Sequence, residues 1–198
     1  MRNALCVRNW GAHKMKWILI RHGKTQGNIE QRYIGCRTDE SLCSQGVERL
    51  KEKEYPAVRR LFVSPMKRCR ETAELIYPGV QVEVIDDFRE CDFGEFENKN
   101  YADLNGRADY QSWIDSNGEM PFPGGESRAE FAARCVHAFD ELVKRNLQED
   151  SAIIAHGGTI MAIMEQYANP KGSYYDFQVK NGEGYIMDGA DSYMKLRT

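Results

Sequence analysis

No stretch of the sequence approaches the ~20 apolar residues that a membrane-spanning helix requires; the longest candidates are Trp17-Ile18-Leu19-Ile20 and Ile160 to Met164. A membrane span is therefore not expected. Charge of one sign is not in surplus either. Against 30 Asp and Glu stand 27 Lys and Arg, a formal charge of −3, which disfavours a nucleic-acid partner held by bulk electrostatics. The cysteines at 6, 36, 43, 69, 91 and 135 form no C-x-x-C pair and no zinc spacing, and no secretory leader precedes them, so they read as reduced thiols of a cytoplasmic protein. No G-x-x-x-x-G-K-[ST] loop is present, which excludes P-loop nucleotide hydrolysis, and the aspartate and histidine clusters of metal-dependent phosphatases are missing too. Internal repeats, low-complexity tracts and interdomain linkers are also lacking.

What is present is ordinary globular composition, 41% hydrophobic and 29% charged over 198 residues, enough for one domain. Residues 1–14 have no periodicity and read as a flexible extension, with the domain running over 15–198. Short apolar runs at 17–20, 61–64, 82–85 and 152–155 alternate with helical patterns at 44–54 and 67–77, as buried parallel strands and their crossovers do. Ser127-Arg128-Ala129-Glu130 is a capping box opening a long helix whose Phe131, Cys135, Phe139 and Leu142 make one core-facing stripe. Residues 174–187 read as a terminal hairpin turning at Asn181-Gly182-Glu183-Gly184. The expected fold is α/β, a three-layer sandwich with a mostly parallel sheet and its site above the strand C-terminal ends.

Chemistry gathers at those ends. The first strand leads to Arg21-His22-Gly23-Lys24-Thr25-Gln26-Gly27-Asn28, the second to Ser64-Pro65-Met66-Lys67-Arg68, the third to an acidic loop around Glu90, and the fourth to His156-Gly157-Gly158. Alone, each has an ordinary reading: a hydrogen-bonded histidine, a solvated basic turn, a loop of surface carboxylates. Together they bring two histidines, two arginines and a carboxylate to one crevice. Arginine matches phosphate oxygens with a planar fork, neutral imidazole attacks phosphorus, and a carboxylic acid can protonate a departing oxygen.

In these motifs, R-H-G-x-T-x-x-N at 21–28, S-P-x-x-R-x-x-x-T-A at 64–73, F-R-E-x-D-F-G-E-F-E at 88–97 and A-H-G-G at 155–158, the chain resembles a histidine phosphatase of the phosphoglycerate mutase-like superfamily. The resemblance implies His22 as the nucleophile that becomes phosphohistidine. It implies Arg21, Asn28, Arg68 and His156 around the phosphoryl oxygens, with Thr25 and Gly157 in the same pocket. Glu90 matches the family's proton donor; the acid-phosphatase branch, by contrast, carries an aspartate directly after the second histidine, where this chain has Gly157. Asp92, Glu95 and Glu97 are the competing carboxylates. Two departures stand out: Cys43 occupies a position where relatives often have a capping threonine, and Asn98 replaces a glycine.

Only 46 positions separate His22 from Arg68 and 66 separate Glu90 from His156, leaving little sequence for the lid that retains a bisphosphorylated intermediate in mutases. Hydrolysis is the expected outcome, with mutase-type transfer, or a non-catalytic phosphate-binding module, as the alternatives. An insertion over about 98–125, with Tyr101, Tyr110, Trp113 and Phe122, is the expected substrate cap; its aromatics fit the family's α-ribazole phosphatases, though plain packing explains them equally. The expected partner is a small phosphorylated metabolite, with no metal or cofactor, and the chain acts as a monomer or a homodimer.

Overall fold

Trp17 and Leu19 point to one side of strand β1 (Lys16–Arg21), Ile18 and Ile20 to the other, and all four are wholly buried. A strand with no solvent face needs helices on both sides. The computed structural model supplies them. It describes residues 15–145, 147–188 and 192–196; the expected extension at 1–14 lies outside those residues. After β1 come α1 (Gln26–Ile29), α2 (Ser44–Lys51), β2 (Arg60–Val63), α3 (Lys67–Ile76), β3 (Val82–Val84), α4 (Tyr101–Leu104), α5 (Ala108–Asp115), α6 (Arg128–Lys144), β4 (Ser151–Ala155), α7 (Gly157–Tyr167), β5 (Gly184–Asp188) and β6 (Ser192–Leu196).

The six strands run in the order β3-β2-β4-β1-β5-β6. The first four are parallel; β5 and β6 are antiparallel and close one edge. Trp17, Leu19, Phe62 and Ile153 meet Phe139 and Leu142 of α6 and Ile160 and Ile163 of α7, forming one core layer. Ile18, Ile20, Leu61, Val63 and Ile154 meet Cys69 and Ala73 of α3, forming the other. Ser127 caps α6 reciprocally with Glu130, as the capping box predicts.

Two sequence expectations are corrected. The run at 82–85 gives an edge strand rather than a buried one: Val82 and Val84 are 39% and 46% exposed, because β3 has a single neighbour, β2. Nor do residues 174–187 form a hairpin. Tyr174–Phe177 is a 3₁₀ turn capped by Ser173 and Asp176, burying Tyr174 and Phe177 one turn apart, and the antiparallel partners of β5 are β1 and β6. The aromatic spacing there is helical, not alternating. Asn98 does adopt a left-handed backbone, φ 56°, which asparagine tolerates better than most side chains. Cys43 is the N-cap of α2 and gives it no side-chain hydrogen bond.

Candidate active site

Each candidate group stands just beyond the C-terminal end of a parallel strand. His22 follows β1, Arg68 lies in the first turn of α3 after β2, Glu90 sits on the loop after β3, and His156 follows β4 as the N-cap of α7. The His22 N–H donates to the Ala155 carbonyl at 3.0 Å, continuing the β1–β4 ladder one residue past its register pair Arg21 and Ala155. The two imidazoles consequently stand 5.2 Å apart, ring centre to ring centre, edge to face.

His22 is buried, with Nδ1 2.6 Å from the Gly23 carbonyl. A carbonyl only accepts, so Nδ1 carries the hydrogen and Nε2 keeps its lone pair. Burial, with Arg68 and Arg21 nearby, holds the imidazole pKa well below the ordinary histidine value, so the ring is neutral. His156 is neutral for the same reasons, burial first and then the charge of Arg68; its Nε2 is 2.8 Å from the Ser64 hydroxyl.

Arg68 is wholly buried, so the solvated-turn reading fails for it. Its Nη atoms donate to the carbonyls of Thr38, Ile34 and Gly35 at 3.1–3.3 Å, while its Nε has no acceptor. Arg21 repeats the pattern: Nη1 donates to the Val179 carbonyl at 2.8 Å and its buried Nε is unpartnered. Buried charged donors left without acceptors are costly, and two of them beside two neutral imidazoles describe a site completed by an anion.

Glu90 faces this group from the third loop. One carboxylate oxygen accepts the Cys91 N–H at 2.9 Å and the other lies 3.6 Å from His156 Nδ1, too far for a direct hydrogen bond. Burial raises its pKa, and the charges of Arg68 and Arg21 only partly oppose this. Two of the competing carboxylates are engaged elsewhere, Asp92 with Arg37 and Glu97 as acceptor of the Gly35 N–H, and Glu95 does not line the cavity that reaches Glu90.

Thr25 is buried as the N-cap of α1, its hydroxyl accepting the Asn28 N–H. The Asn28 side chain accepts from the Thr25 N–H and from Asn181 Nδ2 at 3.0 Å. Gly157 opens α7 with Arg21 alongside, and a Cβ there would find ordinary contacts, 3.6 Å from the guanidinium; at Gly158 it would stand 2.7 Å from the Phe131 ring. Gly158 is therefore the position that lets α7 approach α6.

The expected aromatic cap divides. Trp113 and Phe122 line a cavity of about 250 Å³ that reaches Glu90, together with Tyr33, Phe93 and Tyr174. Tyr110 is buried behind them, stacked on Trp113, and Tyr101 is 67% exposed on the outside; neither lines the cavity. Three supports escaped the sequence reading. Ser64 holds His156, Asn181 holds Asn28 and the His22 carbonyl, and Arg134 of α6 clamps the Glu90 loop through the carbonyls of Asp87 and Arg89 while pairing with Glu126. Ser64 was visible inside its motif and Asn181 lies in the turn read at 181–184, whereas no local motif singles out Arg134. Among the described residues no cluster of His, Cys, Asp or Glu is arranged to hold a metal ion, and no helix is long and apolar enough to cross a membrane.

The family model for the histidine phosphatase superfamily (branch 1) matches residues 17–198. The chain belongs to that superfamily. Among its relatives is the Hydrogenobacter thermophilus protein named "Putative phosphoserine phosphatase 2", 34% identical over 74% of this chain and 75% of that one. Adenosylcobalamin/alpha-ribazole phosphatase of Salmonella typhimurium is 24% identical over 92% and 95%. The fold is shared with the crystal structure of the alpha-ribazole phosphatase from Shigella flexneri, TM-score 0.82 at 22% identity over 93% of this chain and 96% of that one. With these relatives the protein is a histidine phosphatase enzyme.

Proposed function

We propose that the protein is a metal-independent phosphomonoester hydrolase acting through a phosphohistidine at His22, on a small phosphorylated metabolite whose leaving group carries a ring. One observation carries the reading: Glu90 belongs both to the catalytic group and to the wall of the aromatic cavity, so a phosphate beside His22 places its ester oxygen at Glu90 and its organic part among Trp113, Phe122 and Tyr33.

The His22 Nε2 lone pair forms the P–N bond as the P–O ester bond breaks, and the Glu90 carboxyl delivers its proton to the leaving oxygen. The Glu90 carboxylate then takes a proton from the water that attacks phosphorus, which releases inorganic phosphate and restores neutral His22. Arg21 and Arg68, with their free Nε donors, hold the phosphoryl oxygens throughout, and Asn28, His156 and the Gly157 N–H complete the ring around them. The cavity supports hydrolysis over mutase chemistry. Its walls offer one cation, Arg128, which is paired with Glu119, and so nothing suited to a second phosphate.

α-Ribazole 5′-phosphate is the named substrate candidate: its ring system suits aromatic walls, and relatives spanning nearly the whole chain carry that activity in their names. Phosphoserine, named for other relatives, has no ring to place there. A panel of phosphomonoesters including α-ribazole 5′-phosphate, phosphoserine and 3-phosphoglycerate, assayed with EDTA present, tests this. Phosphate release fastest from ring-bearing esters is expected. Preference for phosphoserine, conversion of 3-phosphoglycerate to its isomer faster than phosphate release, or dependence on an added divalent ion would refute it.

A further inference from the structure

Behind Arg21 lies a second cleft of about 460 Å³ and of opposite character to the aromatic cavity. Lys24, Arg49, Lys53, Lys180 and Lys195 line it with Arg21, and among the described residues no Asp or Glu does. His22, Arg68, Glu90 and His156 are not among its walls. These cations come from four separated parts of an acidic chain, so their meeting does not reflect a generally basic surface.

Little among the described residues answers the charge of Arg49, Lys180, Lys24 or Lys195. Among the described residues, Arg49 and Lys180 have no hydrogen-bonding or ion-pair partner for their side chains, Lys24 reaches only the Gln45 amide, and Lys195 reaches the Gln178 carbonyl. Like charges gathered on a concave wall repel one another and focus a positive potential into the space they enclose. The volume falls within the ~300–1,000 Å³ of small-molecule sites, larger than one phosphate needs.

We propose that this cleft is a second anion site, adjoining the catalytic crevice and sharing Arg21 with it, for a small anion bearing two or more phosphoryl-type groups. Its floor is continuous with the catalytic strand. The Val179 carbonyl accepts from Arg21 Nη1, the Gly182 N–H donates to the Arg21 carbonyl at 3.0 Å, and Asn181 Nδ2 donates to the His22 carbonyl at 3.1 Å. An anion seated on Lys180 thus bears on the segment that holds Arg21 in place.

Calorimetric titration of the full chain with methylenediphosphonate, whose P–C–P bridge resists hydrolysis, tests the site. Arg49→Gln combined with Lys180→Gln should weaken one class of binding at least tenfold while leaving kcat/KM for p-nitrophenyl phosphate within twofold of wild type. Both residues are exposed, so the unfolding midpoint should not move. Raising the salt concentration should weaken the same class in wild type and far less in the double variant. Competitive inhibition of p-nitrophenyl phosphate hydrolysis that persists in the double variant belongs to the catalytic crevice. Binding that is absent, or equally tight in wild type and double variant, overturns the proposal, whatever substrate the enzyme proves to hydrolyse.

Discussion

Glu90→Gln removes a proton and almost nothing else. The amide oxygen of glutamine can still accept the Cys91 N–H, and the side chain keeps its length and its place in the cavity wall. General-acid loss costs ~10²–10⁴ in rate. The upper part of that range applies, ~10³–10⁴ or about 4–5.5 kcal/mol of barrier, because among the described residues no second carboxylate lines the cavity to take over. Rapid-quench measurement of phosphoenzyme formation should show that loss for an alkyl ester. It should show far less for p-nitrophenyl phosphate, whose leaving group departs as a stable anion. With water activation also impaired, the aryl ester should give a burst and an acid-labile phosphohistidine. Stability should move the opposite way. Burial raises the Glu90 pKa in the folded state, so holding the carboxylate ionised opposes folding, and that penalty grows as pH rises through the folded-state value. The variant should melt higher than wild type at pH 8 and gain little at pH 4. Equal losses of phosphorylation rate on alkyl and aryl esters would refute the assignment of Glu90 as leaving-group acid.

The depressed pKa of His22 predicts that kcat/KM for p-nitrophenyl phosphate, corrected for the ester's own ionisation, stays level as pH falls through ~6.5, where an ordinary histidine would protonate; a drop centred there would show a solvated imidazole. Arg134→Lys should lower the unfolding midpoint and turnover together, because lysine cannot span Glu126 and both loop carbonyls, and lost charge-assisted hydrogen bonds cost about 1.5–3 kcal/mol each. An unchanged alkyl-ester rate would remove Arg134 as the support of Glu90. Trp113→Ala should reduce kcat/KM for ring-bearing esters far more than for glycerol phosphate, while Tyr101→Ala should leave both unchanged; equal losses in the first, or any selectivity change in the second, would contradict the division of the cap.

The central sheet was legible because β1, β2 and β4 are short apolar runs followed by residues with distinctive chemistry, and because two-sided burial leaves no polar alternation to confuse them. Legibility failed where local pattern and tertiary surroundings disagree. Val82 and Val84 have strand composition whether or not a helix covers them, and only the strand order makes β3 an edge. Tyr174 and Phe177 are three apart, a helical interval that the neighbouring aromatics disguised as a strand. The chemical groups at four strand ends could be named in advance because each sits within a motif. Their supports could not, since Arg134 and Asn181 act over sequence separations of 47 and 159 on partners that only the fold identifies. The basic cleft is hidden for the same reason, its cations being scattered between positions 21 and 195.

The one-residue step from the Arg21–Ala155 register pair to His22 and His156 makes the reactive pair an outgrowth of a hydrogen-bond ladder joining segments 134 positions apart. Neither histidine has its neighbour until that ladder closes, and a slip of a single rung would carry one ring about 3.3 Å along the strand and turn it to the opposite face. Loop closure over so long a separation is among the slower events of folding a small domain. Catalytic competence should therefore emerge late, after most helical signal has returned, and turnover of a chromogenic ester during refolding would serve as a clock for the docking of β4 onto β1.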